Sequence, residues 1–69
     1  MKKDYDLSEL ANKYVLSLNE ATQYFGIGEK RMRSLIRNNE DKPWVLMVGS
    51  HYRVKRLAFE QWLKTVNNL

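Results

Sequence analysis

The stretch that decides the fold of this chain reads GIGEKRMRSLIRNN and runs from Gly26 to Asn39. Its glycines predict a turn, and the residues after them have the spacing of a short amphipathic helix. Met32, Leu35 and Ile36 stand at i, i+3 and i+4, so they share one helix face. Polar and charged residues occupy the opposite face and its flank: Lys30, Arg33, Ser34 and Arg37, with Arg31 beside them. A helix with an anchored back and a cationic front is what nucleic-acid recognition needs.

An ordinary surface helix with solvated lysines and arginines would show the same pattern, so the charge of the whole chain is informative. Between Glu29 and Arg56 there are eight basic and three acidic residues, a net charge of +5, whereas the chain as a whole carries +4. The positive excess is therefore confined to this central segment. Such a concentration on a small domain indicates a polyanionic partner. A membrane surface fits less well, because no helix combines a broad apolar face with flanking lysines.

The length of 69 residues predicts one small domain. A chain of this size has a free energy of unfolding on the order of 5 kcal/mol and no room for a deep substrate cavity, so we expect no enzyme and no cofactor. Cysteine is absent, which excludes disulfides and thiolate metal sites. There is neither an 18-residue apolar run nor a signal-peptide pattern, and we expect a soluble protein of the cytoplasm.

Two regions are predicted along the chain: an N-terminal lead-in segment over residues 1–13 and the folded domain over residues 14–69. In the lead-in, Leu7 and Leu10 have helical spacing behind a capping Asp6, but a loosely packed segment is an equally good interpretation.

The folded domain begins with a short edge strand at residues 14–16 and a helix after it. Ser17 and Glu20 have the spacing of a capping box, which predicts that this helix begins beside Ser17. It runs to Phe25, and Gly26 ends it because glycine readily takes the left-handed conformation. Helix, glycine-containing turn and basic helix together form a helix-turn-helix arrangement.

A β-hairpin follows the basic helix. Residues 44–48 and 51–55 are two β-prone runs, and Gly49-Ser50 between them suits a two-residue hairpin loop. On the second strand, Tyr52 and Val54 share the apolar face, and the other face is basic. This pattern is typical of a wing that reaches the minor groove or the DNA backbone. The candidate wing contacts are Ser50, His51, Arg53 and Lys55.

The last helix carries no binding chemistry, and the histidine of the wing offers neither a metal site nor a catalytic site. The last helix, from Arg56 to about residue 67, has an apolar stripe that includes Phe59 and Trp62, and we assign that stripe to the core with Trp44. His51 is the single histidine, and without cysteine or a second histidine it has no partner for a metal site. We therefore predict no catalytic residues and no metal site.

The order of these elements resembles the MerR-like winged-helix fold, and more closely the small excisionases of conjugative transposons. Nearly the whole chain, from about Tyr14 to Leu63, shares this resemblance. The residues that carry it are Leu18-Asn19-Glu20-Ala21, Tyr24-Phe25, Ile27-Gly28-Glu29, Arg33, Leu35, Trp44, Met47, Gly49, Lys55-Arg56 and Phe59-Glu60. It implies a small α+β winged helix-turn-helix fold, with helices packed on a two- or three-stranded antiparallel sheet.

The resemblance also implies a function in site-specific recombination. Such excisionases are not enzymes: they bind and bend double-stranded DNA at the ends of a mobile element, as several copies, and help a tyrosine-recombinase integrase to excise it. The major groove would then receive Lys30, Arg31, Arg33, Ser34 and Arg37, and the wing would contact the adjacent minor groove or its phosphates through Ser50, His51 and Arg53. The protein would act at the bacterial nucleoid.

Two other functions are compatible with the same surface. A small winged-helix transcription regulator would bind DNA through the same residues. A protein-interaction module would instead use the basic face to bind an acidic protein partner.

Overall fold

The computed structural model of this chain describes residues 6–69. In this part of the chain the elements are α1 Leu7–Leu10, β1 Val15–Ser17, α2 Leu18–Phe25, α3 Glu29–Asn38, β2 Val45–Val48, β3 His51–Lys55 and α4 Arg56–Leu63. The strands form one antiparallel sheet in the order β1-β3-β2. The predicted α+β class is confirmed, the sheet is three-stranded, and the architecture is consistent with a small winged-helix fold.

Helix α1 lies inside the predicted lead-in segment and packs onto the domain. The Asp6 carboxylate accepts hydrogen bonds from the Ser8 amide (3.0 Å) and hydroxyl (2.7 Å), which lower the pKa of Asp6. Leu10 is buried in the core. The helical interpretation of this segment is confirmed, and its leucine contributes to the core. Residues 1–5 of the lead-in lie outside the described residues, and the boundary at residue 13 stays a prediction.

Helix α2 begins and ends as its sequence predicts. The Ser17 hydroxyl accepts from the Glu20 amide (3.2 Å), and the Glu20 carboxylate accepts from the Ser17 amide (2.9 Å), so the capping box is formed. Partial burial acts to raise the pKa of Glu20, but hydrogen bonds from Lys13 (2.6 Å) and Ser17 outweigh it and hold that pKa below 4.5. Gly26 ends the helix with a φ of 67°.

The sheet fixes the hairpin next to the helices. β3 pairs with β1 on one side and with β2 on the other, so the predicted edge position of the first strand is confirmed. Val48 pairs with His51, which leaves Gly49 and Ser50 as a two-residue loop, and Gly49 has a φ of 61°. A positive φ at the first loop position is what hairpin turns of types I′ and II′ require.

One hydrophobic core lies between the sheet and the helices. Phe59 is fully buried and contacts the rings of Trp44 and Phe25, each with a centroid separation of 4.6 Å, and the ring of Trp62 at 5.6 Å. The α4 stripe therefore belongs to the core, as predicted. Trp44 is fully buried as well, and the remaining buried residues are Leu10, Leu16, Ala21, Met32, Ile36 and Val54.

Candidate nucleic-acid interface

Helix α3 has the two faces that its periodicity predicts. Met32 and Ile36 are buried, and Leu35 packs against the core from a partly buried position. The core thus holds the back of the helix. The predicted contact residues are all solvent-exposed: Lys30, Arg31, Arg33, Ser34 and Arg37.

The hairpin is less uniformly basic than its second strand alone predicts. Directly paired residues of neighbouring strands point to the same face of a sheet. Leu46 pairs with Arg53 and Val48 pairs with His51, so apolar side chains share the face that we expected to be basic. This corrects the predicted face, and the reason is that only one of its two strands carries the cations.

Helix α3 and the hairpin form the two walls of an open groove with a volume of about 470 Å³. Arg33, Ile36 and Arg37 line it from α3, and Leu18 contributes from α2. The hairpin contributes Ser50, His51, Tyr52 and Arg53. Five of the nine predicted contact residues therefore meet at one site, although they come from elements separated in sequence.

The other four predicted residues lie outside this groove. Arg31 donates from Nη1 to the backbone oxygen of Leu69 at 2.6 Å. Lys55 is partly buried at the N-cap of α4, where its amide donates to the Trp44 carbonyl at 2.8 Å. Lys30 and Ser34 are exposed on α3, on neither wall of the groove. A ligand that contacts them has to extend beyond the groove along α3.

Two carboxylates also engage residues of this groove, and we did not predict them as site residues. Glu29 accepts from Arg33 Nε at 3.2 Å and from Nη2 at 2.8 Å. Their i,i+4 spacing is a sequence signal for such a pair. Glu40 accepts from the Tyr52 hydroxyl at 2.7 Å, which raises the pKa of Tyr52 above 10. These two residues are 12 positions apart, and no periodicity predicts that they meet.

The charge of the groove suits an extended anion. Arg33, Arg37 and Arg53 line it from two separate elements, and each guanidinium has a planar set of donors that matches phosphate oxygens or the edge of guanine. Within residues 6–69, no three histidine or acidic side chains come together in a way that could hold a metal ion. In the same residues, no helix has the length and apolar character needed to cross a bilayer.

Comparison with known proteins gives two matches that agree. The family Tn916-Xis, described as excisionase from transposon Tn916, matches residues 5–69. The excisionase from transposon Tn916 of Streptococcus agalactiae serotype V is 36% identical over 55 residues, which cover 80% of this chain and 82% of that protein. The family match spans the groove and the core beneath it.

Proposed function

The chain belongs to the family of the excisionase from transposon Tn916, and on that premise we propose that it binds DNA at the ends of a mobile element and promotes excision by an integrase. We propose a binding role without catalysis, in which the protein bends the DNA and so helps the integrase to assemble. A tyrosine recombinase is the proposed partner enzyme, and the bacterial nucleoid is the place of action.

The groove between α3 and the hairpin is the observation that supports this proposal best. An α-helix fits the major groove of B-DNA, and a β-hairpin beside it reaches the neighbouring backbone or minor groove. The buried Met32 and Ile36 keep the cationic face of α3 turned outward. In this arrangement α3 contacts base edges, and Ser50, His51 and Arg53 contact phosphates or the minor groove.

The proposed interface predicts a strong dependence on salt. A domain of this size contacts roughly 5–8 phosphates, so affinity should fall by about three to four orders of magnitude between 50 and 200 mM salt. A bidentate arginine–guanine pair discriminates against a wrong base by about 1–3 kcal/mol. One copy is therefore weakly selective, which favours binding of several adjacent copies.

The experiment is a gel-shift and DNA-bending assay on the ends of the mobile element, with random DNA of equal length for comparison. We expect Arg33→Ala to weaken binding to the element ends more than binding to random DNA, because a base contact is lost. Arg53→Ala should weaken both alike, because a phosphate contact is lost. Lys64→Ala is the matched control, since it removes an exposed positive charge that does not line the groove.

The outcomes separate the possible functions. Stepwise, selective complexes with bent DNA support the excisionase, and an excision assay with the integrase follows. Selective binding to promoter DNA without bending indicates a transcription regulator. No binding to any DNA at about 100 mM salt contradicts both and leaves an acidic protein partner.

A further inference from the structure

The ion pair between Glu29 and Arg33 leaves part of the arginine free. Arg33 Nε and Nη2 both donate to the same carboxylate oxygen of Glu29. A guanidinium has five N–H groups, and two of them are used here. Within residues 6–69, the Nη1 amino group and the second N–H of Nη2 have no acceptor, and together they form the terminal donor edge of the side chain.

That remaining edge has the geometry for recognising guanine. Guanine presents O6 and N7 as two neighbouring acceptors in the major groove, and an arginine binds them with two parallel hydrogen bonds. Arg33 is exposed on the face of α3 that lines the groove, and Glu29 stands one helical turn before it in the first turn. A carboxylate there is also favoured by the positive end of the helix dipole.

We infer that Glu29 is a positioning residue that determines specificity: it holds the guanidinium of Arg33 so that its free edge meets guanine. The inference rests on the proposed role of α3 in DNA binding. Without Glu29, the long Arg33 side chain can turn toward the nearest phosphate, which carries no sequence information. A negative charge beside Arg33 also repels phosphates, and this further favours the contact with a base.

An exposed ion pair between neighbouring helical turns contributes little to the stability of the fold. Both side chains here are about half exposed, Arg33 at 58% and Glu29 at 45%. Stability measurements would therefore barely respond to loss of the pair. The useful measurement is base discrimination, which a merely structural role would not alter.

The experiment compares the wild type with Glu29→Gln and Glu29→Ala on a set of sites in which each guanine is replaced in turn. The Arg33→Ala variant first identifies the guanine that Arg33 contacts, because replacing that guanine no longer weakens the binding of this variant. In the wild type that replacement should weaken binding about 5- to 150-fold. In Glu29→Ala the penalty should fall by about 2- to 5-fold, and in Glu29→Gln by less, because an amide oxygen still accepts a hydrogen bond.

The matched control is Glu9→Gln, which removes one exposed negative charge in α1, on neither wall of the groove. It should leave the penalty unchanged. In the Arg33→Ala background, Glu29→Ala should have no effect on discrimination. An unchanged penalty in Glu29→Ala overturns the inference while the proposed function stands. A wild type that does not bind DNA overturns both.

Discussion

The turn between α2 and α3 contains two glycines that should respond in opposite ways to the same substitution. Gly26 has a φ of 67°, whereas Gly28 has a φ of −60° and a ψ of 153° as the N-cap of α3. In both cases no atom beyond the adjacent residues lies within 4 Å of where a Cβ would stand. Steric clash therefore contributes nothing, and the two variants should differ in stability because of the backbone conformation alone.

The expected magnitudes follow from that backbone. A left-handed conformation costs a residue with a Cβ about 1–2 kcal/mol. Replacing glycine also restricts the unfolded chain, which stabilises the fold by about 0.4–1 kcal/mol. The net effect of Gly26→Ser should therefore be a destabilisation of about 1 kcal/mol. At Gly28 the backbone already suits serine. The serine hydroxyl can also accept a hydrogen bond from the Arg31 amide, which stabilises the helix by a few tenths of a kcal/mol. Together with the restriction of the unfolded chain, this means that Gly28→Ser should stabilise the fold by about 1 kcal/mol.

Thermal unfolding followed by circular dichroism tests this pair of variants. For a domain of this length, 1 kcal/mol corresponds to a change in Tm of about 4–8 °C. We expect Gly26→Ser to melt below the wild type and Gly28→Ser above it. Two changes in the same direction would refute the assignment of Gly26 as a left-handed helix end and Gly28 as a free N-cap.

Three further predictions concern stability and titration. Because the pKa of Glu20 is lower in the folded state, its ionised carboxylate stabilises the fold at pH values above the unfolded pKa, and this contribution is lost as the pH falls through the folded pKa. Urea melts of the wild type and Glu20→Gln should therefore differ at neutral pH and converge once the pH lies below the folded pKa. Phe59→Ala should cost about 3–5 kcal/mol and lower the urea midpoint strongly, whereas the exposed Leu57→Ala in the same helix should change the urea midpoint little. In an ultraviolet titration the pKa of Tyr52 should move down toward 10 in Glu40→Gln, because the carboxylate that disfavours its phenolate is gone, and an unmoved pKa would contradict the hydrogen bond.

The sequence predicted those parts of the fold whose causes are local. The capping box of Ser17 and Glu20, the helix end at Gly26 and the loop at Gly49 each depend on residues within about four positions. Their chemistry allows few alternatives, so the pattern is enough. The apolar periodicity of α3 also predicted its buried side, because the spacing of a helix determines which residues share a face.

The parts that the sequence did not predict depend on distant contacts. Leu10 is buried because residues between 16 and 59 form a core against which it packs. The sequence around Leu10 does not contain that information. The groove face of the hairpin depends on which residues of β2 stand beside β3. Arg31 meets Leu69 across 38 positions, which no short-range pattern indicates.

The two walls of the groove are held in place by different contacts, and this affects which part of the DNA each wall is suited to contact. The core anchors α3 through Met32 and Ile36. Arg53 stands where β3 is paired on both sides, with Ser17 and with Leu46. His51, nearer the tip, pairs with β2 alone among the residues that the structure describes. We therefore propose that precise base contacts are made by α3, while the tip of the hairpin can adapt to the position of a phosphate.

This division sets a limit on what one copy can achieve. Specific DNA binding usually exceeds non-specific binding by about 4–10 kcal/mol. One arginine–guanine pair supplies about 1–3 kcal/mol of that difference, and in this groove Arg33 and Arg37 are the side chains of α3 that can form such pairs. Selectivity at the high end of that range therefore requires more than one domain. Copies on adjacent sites would add their base contacts, and a bend shared by them would make recognition depend on the whole DNA segment.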